Sequence, residues 1–413
     1  MSGDAIRIED LAEPVLSEHQ QGALAFGESV ATELTVDAVL TAAVDRTGLD
    51  DFGPPDFRDR LARWLDEVDR DPDRTGLGRM ILFNDCVRYA ANRLRLRDLF
   101  GRHPEILDEE IVAPIIVVGL PRSGTTHLVN LLAADPRLRS LPLWESYEPV
   151  PVPGEPDDAR HRRCADAWTA MQQTVPLLAA MHPMAPDHVH EELELQLPDF
   201  SSYELEWVAR VPGWRDHYLA TDQTPHYAYL KTVLQVLQWY RPGERWVLKS
   251  PQHLEQLGPL LATFPDATIV VTHRDPVSVI QSAATMLTYG ARMSYRTTEP
   301  EWYLGYWADR IERLLSASVR DRGLLPEGRT VDVLFHEFMA DELGTVERIY
   351  EAADFPLSDH ARTAITGYQD DHERGRDGRI VYDVRADFGA EPAELRAPFG
   401  FYLDRFPVRE EVQ

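Results

Sequence analysis

The sequence predicts a protein of the α/β class: a central parallel β-sheet flanked by helices, with a helical N-terminal extension and a long helical insertion. Three observations carry this expectation. Ile115-Ile116-Val117-Val118 is a run of β-branched residues that enters a glycine-containing turn and then a helical stretch, the order strand, loop, helix. From Ile111 onward such strands alternate with helical patterns, which is how a parallel sheet covered on both faces reads. Before about residue 110 there is no strand signal, and apolar residues recur at helical spacing instead.

In chain order, Phe57, Leu61, Trp64, Leu65 and Val68 form one helical stripe, and Met80, Phe83, Val87, Ala91 and Leu94 form a second. Asp51-Phe52-Gly53-Pro54-Pro55 separates this pair from earlier helices. Residues 1–110 read as an extension packed on the main domain, with no chemistry of its own. Within it Arg93, Arg95 and Arg97 read as a solvated helix face. The main domain spans 111–413, with strands expected over 115–118, 246–248, 268–272 and 330–335. Each is followed by a helical stretch, over 125–134, 251–263, 276–288 and 341–353. Ligands gather at the carboxyl ends of parallel strands, so the loops after Val118, Leu248 and Thr272 are expected to meet in one crevice. The insertion over 144–245 is rich in Pro, Trp, Tyr and His, is helical from Tyr227 to Tyr240, and suits a substrate pocket. Beyond Ile365 the chain turns polar, with Arg374, Arg376 and Arg379 close together, and then carries the aromatic patch Phe399-Gly400-Phe401-Tyr402.

Composition narrows the function. Against 42 basic residues stand 69 acidic ones, a formal charge of −27. That balance argues against nucleic acid or an anionic membrane surface as partner, and makes each basic residue in a motif more informative. Cys86 and Cys164 are the two cysteines, too few for a disulfide framework or a thiolate metal site. Met1-Ser2-Gly3-Asp4 has neither the basic nor the apolar region of a signal peptide. No stretch approaches the roughly 20 apolar residues of a membrane span. The expectation is a cytoplasmic protein; its oligomeric state is not set by the sequence.

Three motifs carry the chemistry. In Gly119-Leu120-Pro121-Arg122-Ser123-Gly124-Thr125-Thr126 the glycines have P-loop spacing, but Thr125 stands where a nucleotide-triphosphate site has its Lys. Arg122 supplies the cation instead. The N–H groups from Ser123 to Thr126, at a helix N-terminus, suit a phosphate. The second motif is Leu248-Lys249-Ser250-Pro251; a Lys at the end of a buried strand is costly without an anion nearby. The third is Thr272-His273-Arg274-Asp275-Pro276, with Ser278 and Ser282 on the helix that follows.

Together these motifs resemble the sulfotransferases that use 3′-phosphoadenosine 5′-phosphosulfate (PAPS), in the branch that includes bacterial and tyrosylprotein enzymes. The resemblance runs from about Pro114 to the C-terminus, and the fold it implies is P-loop-like. It implies that Arg122, Ser123, Gly124, Thr125 and Thr126 hold the 5′-phosphate of PAPS. It assigns Arg274 and Ser282 to the 3′-phosphate, with Ser278 as a weaker candidate, and Arg379 as an arginine that could close over the cofactor. Lys249 and Arg122 would stabilise charge developing in transfer, and no metal is expected. The proton acceptor implied by the tyrosylprotein pattern is Glu145, in Leu141-Pro142-Leu143-Trp144-Glu145-Ser146; the rivals are His190 and Glu191 in the insertion. Ser250 and His253 could orient the site, with capping or packing as the other role for His253. His336 stands where relatives carry Tyr near the adenine.

The function implied is in-line transfer of a sulfuryl group from PAPS to a hydroxyl of a small-molecule, lipid or glycan acceptor. Trp144, Tyr147, Trp168, Trp207 and Trp214 suggest an apolar or ring-bearing alcohol or phenol. Two other readings stay open from the residues: a nucleotide-dependent kinase on the same core, and a non-catalytic binding protein on a degenerate one.

Overall fold

One strand whose side chains alternate between two apolar layers organises the molecule. In the computed structural model, which describes residues 5–372 and 378–413, the strand Ile115–Gly119 is buried at every position. Ile115 and Val117 pack into one apolar layer and Ile116 and Val118 into another, as the two-residue period of a strand requires.

The strands in chain order are β1 (Ala5–Ile6), β2 (Ile115–Gly119), β3 (Leu138–Arg139), β4 (Arg245–Lys249), β5 (Thr268–His273), β6 (Thr330–Leu334) and β7 (Arg379–Ile380). Five of them form a sheet in the order β3-β4-β2-β5-β6, and β1 pairs with β7. Every ladder is parallel. The register sets Val117 beside Lys249 on one flank of β2 and Gly119 beside Thr272 on the other. The three loops expected in one crevice therefore leave the sheet side by side. A Cβ on Gly119 would lie 1.9 Å from Thr272 Oγ1, so any other residue there would collide with the Thr272 side chain and force it to move.

The expected strands are present to within a residue or two at each end. The two-residue strands β1, β3 and β7 were not expected, being too short to carry a pattern. The helix expected over 251–263 divides into a 3₁₀ turn, Pro251–Glu255, and a helix, Leu257–Thr263. The helix following β5 runs on to Ser294, and the long helix Pro300–Asp321 has no counterpart in the expectation. Arg374 and Arg376 lie outside the described residues.

The N-terminal helices are α1 (Glu18–Ser29), α2 (Val36–Thr47), α3 (Phe57–Arg70) and α4 (Gly76–Arg102); α5 (Thr125–Ala133) follows the loop after β2. The stripe on α3 is buried at Phe57, Leu61, Trp64, Leu65 and Val68, as its spacing predicts. Arg93 departs from expectation: it is buried and donates to Phe52 O at 2.8 Å and Asp199 Oδ1 at 3.0 Å. It ties α4 to the insertion rather than facing solvent.

Candidate active site

The loop between β2 and α5 is held by its own hydroxyl. Ser123 Oγ donates to Leu120 O at 2.6 Å and meets Thr272 Oγ1 at 2.8 Å, which fixes the turn against β5. Arg122 sits at φ +64°, a left-handed conformation costing on the order of 1–3 kcal/mol in a non-glycine residue. Its guanidinium is drawn toward the third motif, with Nε donating to Ser282 Oγ at 3.1 Å. Ser282 Oγ in turn donates to Tyr382 Oη at 3.0 Å. The first N–H groups of α5 lack helical carbonyl partners by the geometry of any helix start, and they open beside Arg122.

Arg274 comes to the same place from β5. Its Nη1 donates to Arg122 O, and its guanidinium lies 3.9 Å from the Phe335 ring centroid. Its other face binds the carboxylate of Glu411, with Nε and Nη2 at 2.8 and 2.7 Å. Ser278 Oγ adds a long contact to that carboxylate at 3.4 Å, while the Glu411 N–H donates to Asp275 Oδ2 at 2.9 Å. Arg274 and Ser278 thus already gather one oxyanion, supplied by the chain's own C-terminal segment. Arg379 stands exposed on β7, and the side chain that reaches Ser282 from that segment is Tyr382. The ring beside Arg274 is Phe335, one position before His336.

Lys249 is 1% exposed at the end of β4. Its ammonium donates to Thr126 Oγ1 at 3.1 Å and is ion-paired with Glu191. The neighbouring Glu192 holds the strand end: Oε2 accepts from the Lys249 backbone N–H at 2.7 Å, and Oε1 meets His253 Nε2 at 2.6 Å. His253 Nδ1 is 2.7 Å from Tyr227 Oη, and the imidazole is fully buried. His253 is therefore a packed support for the Lys249 strand, and Ser250 caps the turn that follows by accepting from Gln252 N. His190, next to Glu191, is 6% exposed, and its Nε2 has no hydrogen-bond partner among the described residues. Its ring meets that of His182 edge-on at 6.0 Å. Burial, with His190, Lys249 and Arg122 nearby, holds His182 well below the ordinary imidazole pKa, so it is neutral near pH 7.

Glu145, the expected base, is turned away. Its carboxylate accepts from Arg241 Nε at 2.8 Å and Nη2 at 3.1 Å, and pairs with Arg139 Nη1 at 2.8 Å. It does not line the cavity that holds Arg122 and Glu191. The backbone explains the correction. An antiparallel bridge joins Pro142 to Val189, so the two candidate stretches run alongside each other and present side chains in different directions. Glu145→Ala is expected to destabilise the fold by about 3–5 kcal/mol, because Arg139, with a side chain 2% exposed, would be left buried without its carboxylate. Thermal denaturation should show that loss, while turnover per folded molecule persists. Lost turnover with an unchanged melting curve would return Glu145 to the chemistry.

Arg122, Gly124, Thr125, Thr126, Glu191, His190 and Arg274 all line one cavity of about 490 Å³. Beyond the loop residues its lining is largely apolar and includes Leu82, Leu193, Trp207, Met286 and Leu287, with His182 among them. Two walls escaped the sequence reading. One is α4, which contributes Gly78, Ile81, Leu82 and Asp85, so the N-terminal extension shares in the site. The other is the second half of the helix Pro276–Ser294. Of the aromatic residues expected in the pocket, Trp207 lines it. Trp144 lies under the Arg160 guanidinium at 4.8 Å, Tyr147 under that of Arg88 at 3.5 Å, and Trp214 stacks on Tyr218 at 5.3 Å. Among the described residues no group of three His, Cys, Asp or Glu could hold a metal ion. None of the described helices is long and apolar enough to cross a membrane.

A glycine loop on the central parallel strand, with cations converging from neighbouring strand ends, defines an α/β protein with a cationic strand-end crevice. Residues 114–359 match the model of the Sulfotransferase family, more than half of the 413-residue chain, and the chain belongs to that family. It is a sulfotransferase, and the kinase and non-catalytic readings fall away. It is 25% identical over 350 residues to the omega-hydroxy-beta-dihydromenaquinone-9 sulfotransferase Stf3 of Mycobacterium bovis, covering 73% of this chain and 82% of that one. The crystal structure of sulfotransferase STF9 from Mycobacterium avium superposes with a TM-score of 0.82 at 27% identity, covering 93% of this chain and 100% of that one. Sulfotransferase STF1 from Mycobacterium tuberculosis H37Rv superposes with a TM-score of 0.75 at 30% identity, covering 91% and 100%.

Proposed function

We propose that the protein transfers a sulfuryl group from PAPS to the hydroxyl of an apolar small-molecule or lipid acceptor, with Glu191 as the base. The observation that carries this reading is one cavity lined by the loop residues, Arg274 and Glu191, whose carboxylate is ion-paired with the buried ammonium of Lys249. PAPS supplies a sulfuryl group on a phosphate leaving group. The N–H groups of Ser123 to Thr126 hold the 5′-phosphate, and the loop keeps its shape through the Ser123 hydroxyl. Arg274, with Ser282 and Ser278, takes the 3′-phosphate. Arg122 neutralises charge on the leaving oxygen; as a guanidinium it cannot serve as a proton donor.

Lys249 turns from Glu191 toward the transferring group and stabilises its developing charge. The carboxylate of Glu191 is then released to take the acceptor's proton as the acceptor oxygen bonds to sulfur and the bond to the phosphate oxygen breaks. A second reading places the base at His190, which lines the same cavity and whose Nε2 lies 3.8 Å from Glu194 Oε1. The acceptor site combines the insertion over 144–245 with α4, and its apolar walls favour an alcohol or phenol with a hydrophobic body. The Stf3 relatives, named for a hydroxylated menaquinone, point the same way. An acceptor screen with radiolabelled PAPS tests this: label is expected on apolar alcohols or phenols, and label confined to small polar sugars would overturn it.

The Glu411 carboxylate occupies the guanidinium assigned to the 3′-phosphate, so a donor must displace it. Both side chains of that pair are partly exposed, at 20% and 26%, which limits the contact to about 1 kcal/mol. Glu411→Gln is therefore expected to tighten binding of adenosine 3′,5′-bisphosphate roughly fivefold by isothermal titration calorimetry. Unchanged or weaker binding would contradict the placement of the 3′-phosphate on Arg274.

A further inference from the structure

Arg74 lines the same cavity, is bridged to Tyr295 just past the end of the helix Pro276–Ser294 whose start carries Ser278 and Ser282, and is 3% exposed. Its Nη2 donates to Tyr295 Oη and, at 3.4 Å, to Val208 O. Its Nε and Nη1 have no hydrogen-bond partner among the described residues. Nor has it an ion pair there, which sets it apart from the guanidiniums buried around it. Arg210 lies 3.9 Å from the same Tyr295 ring, against 4.5 Å for Arg74, and is paired with Glu299 at 2.6 Å. Arg88 has Asp85 at 3.4 Å, and Arg310 has Glu206 at 2.9 Å. In a chain with 69 acidic residues, a buried guanidinium left without a carboxylate is the exception.

Such a group is unfavourable twice over. A buried charge needs compensation, and two of its donor nitrogens have no acceptor. Arg74 also directly precedes Thr75, the N-cap of α4, where the helix dipole disfavours a cation. What it lacks is an anion, and Arg74 borders the cavity, the space in which one can bind. The acidic side chains on the same walls do not repel it. Glu206 is already bound to Arg310 and Tyr306. Burial, reinforced by neighbouring carboxylates, pushes Glu204 well above the usual carboxylate range. Asp85 is paired with Arg88.

We propose that Arg74 is the anchor for an anionic oxyacid group of the acceptor, held at the opposite end of the cavity from the reacting hydroxyl. This rests on the sulfuryl-transfer reading above and extends it to the acceptor's class. The substrate is an amphiphile whose apolar segment joins a hydroxyl at the Glu191 end to a carboxylate or phosphate at the Arg74 end. Leu82, Met286 and Leu287 line the same cavity and supply apolar wall for that segment.

The test compares three acceptors of one chain length with PAPS as donor: an ω-hydroxy alkanoate, its methyl ester and the plain alkanol, the length chosen from a series. The wild type should favour the acid by about 10- to 100-fold in kcat/KM, through KM rather than kcat, as expected of charge-assisted hydrogen bonds in a buried site. Arg74→Gln should erase that advantage, bringing the acid down to the level of the ester and the alkanol, and Arg74→Lys should retain part of it. A wild type that ignores the terminal group would overturn the anchor, and this comparison stands even if a variant fails to fold. Equal loss on all three acceptors in Arg74→Gln would reduce Arg74 to a structural residue and overturn it too. No transfer to any alcohol or phenol would remove the transfer reading itself, which separates the two failures.

Discussion

Glu191→Gln lowers the rate of sulfuryl transfer by about 10²- to 10⁴-fold, the range a positioned general base contributes. The amide keeps the shape of the side chain and an oxygen that can still accept from Lys249, so the strand end and the Thr126 contact persist. What it removes is the capacity to take a proton from the acceptor. Affinity for adenosine 3′,5′-bisphosphate should change little, because Glu191 is paired with Lys249 and is not among the residues assigned to either phosphate. Single-turnover rates at saturating donor and acceptor measure the effect without interference from product release. If His190 is the base, His190→Asn carries the large loss and Glu191→Gln a small one.

Lys249→Ala should cost about 10²- to 10³-fold in kcat, comparable with removing one preorganised donor from a site of developing negative charge. Lys249 is buried, with its ammonium between Thr126 of the loop and Glu191 of the cavity wall, and the absence of bulk water there strengthens its field. The backbone N–H of residue 249 remains bound to Glu192, so the strand keeps its end. A circular dichroism spectrum and melting curve establish that the variant is folded, and steady-state kinetics with a saturating apolar acceptor read the loss. Full kcat in a folded Lys249→Ala protein would move the charge-stabilising role elsewhere in the crevice, with Arg122 the remaining candidate.

Much of the fold could be read in advance because buried parallel strands are written as continuous β-branched runs. Residues 115–118 and 268–272 are of this kind, and both lie at the centre of the sheet. The loop motifs were legible for a related reason. Their residue types are demanded by close approach, as Gly119 shows against Thr272, or by the cost of burying a cation, as Lys249 shows. Less legible was anything set by side-chain direction or by remote partners. Glu145 and Glu191 lie on stretches joined by the Pro142–Val189 bridge, and sequence distance alone could not tell which carboxylate faces the cavity. Arg139 and Arg241 settle it by capturing Glu145, and Arg241 is contributed from the far end of the insertion.

The same holds for α4. Its apolar period announced packing, which is correct, but one face of the helix also forms a wall of the cavity. A Cβ on Gly78 would lie 2.6 Å from Ser294 O, so this glycine lets α4 approach the end of the helix Pro276–Ser294 and close the cavity. Nothing local to either helix reveals that they meet. Glu411 is a third case, since an acidic residue near the C-terminus carries no local sign that it reaches Arg274, 137 positions earlier.

The side-by-side comparison of Glu191→Gln and Glu145→Gln tests the account most directly. Both substitutions are isosteric, and both proteins are assayed in single turnover with PAPS and one apolar alcohol, with rates expressed per folded molecule. The predicted result is a loss of at least about 100-fold in Glu191→Gln and a wild-type rate in Glu145→Gln. The reverse pattern, full transfer by Glu191→Gln and none by folded Glu145→Gln, would contradict the site assembled around Lys249.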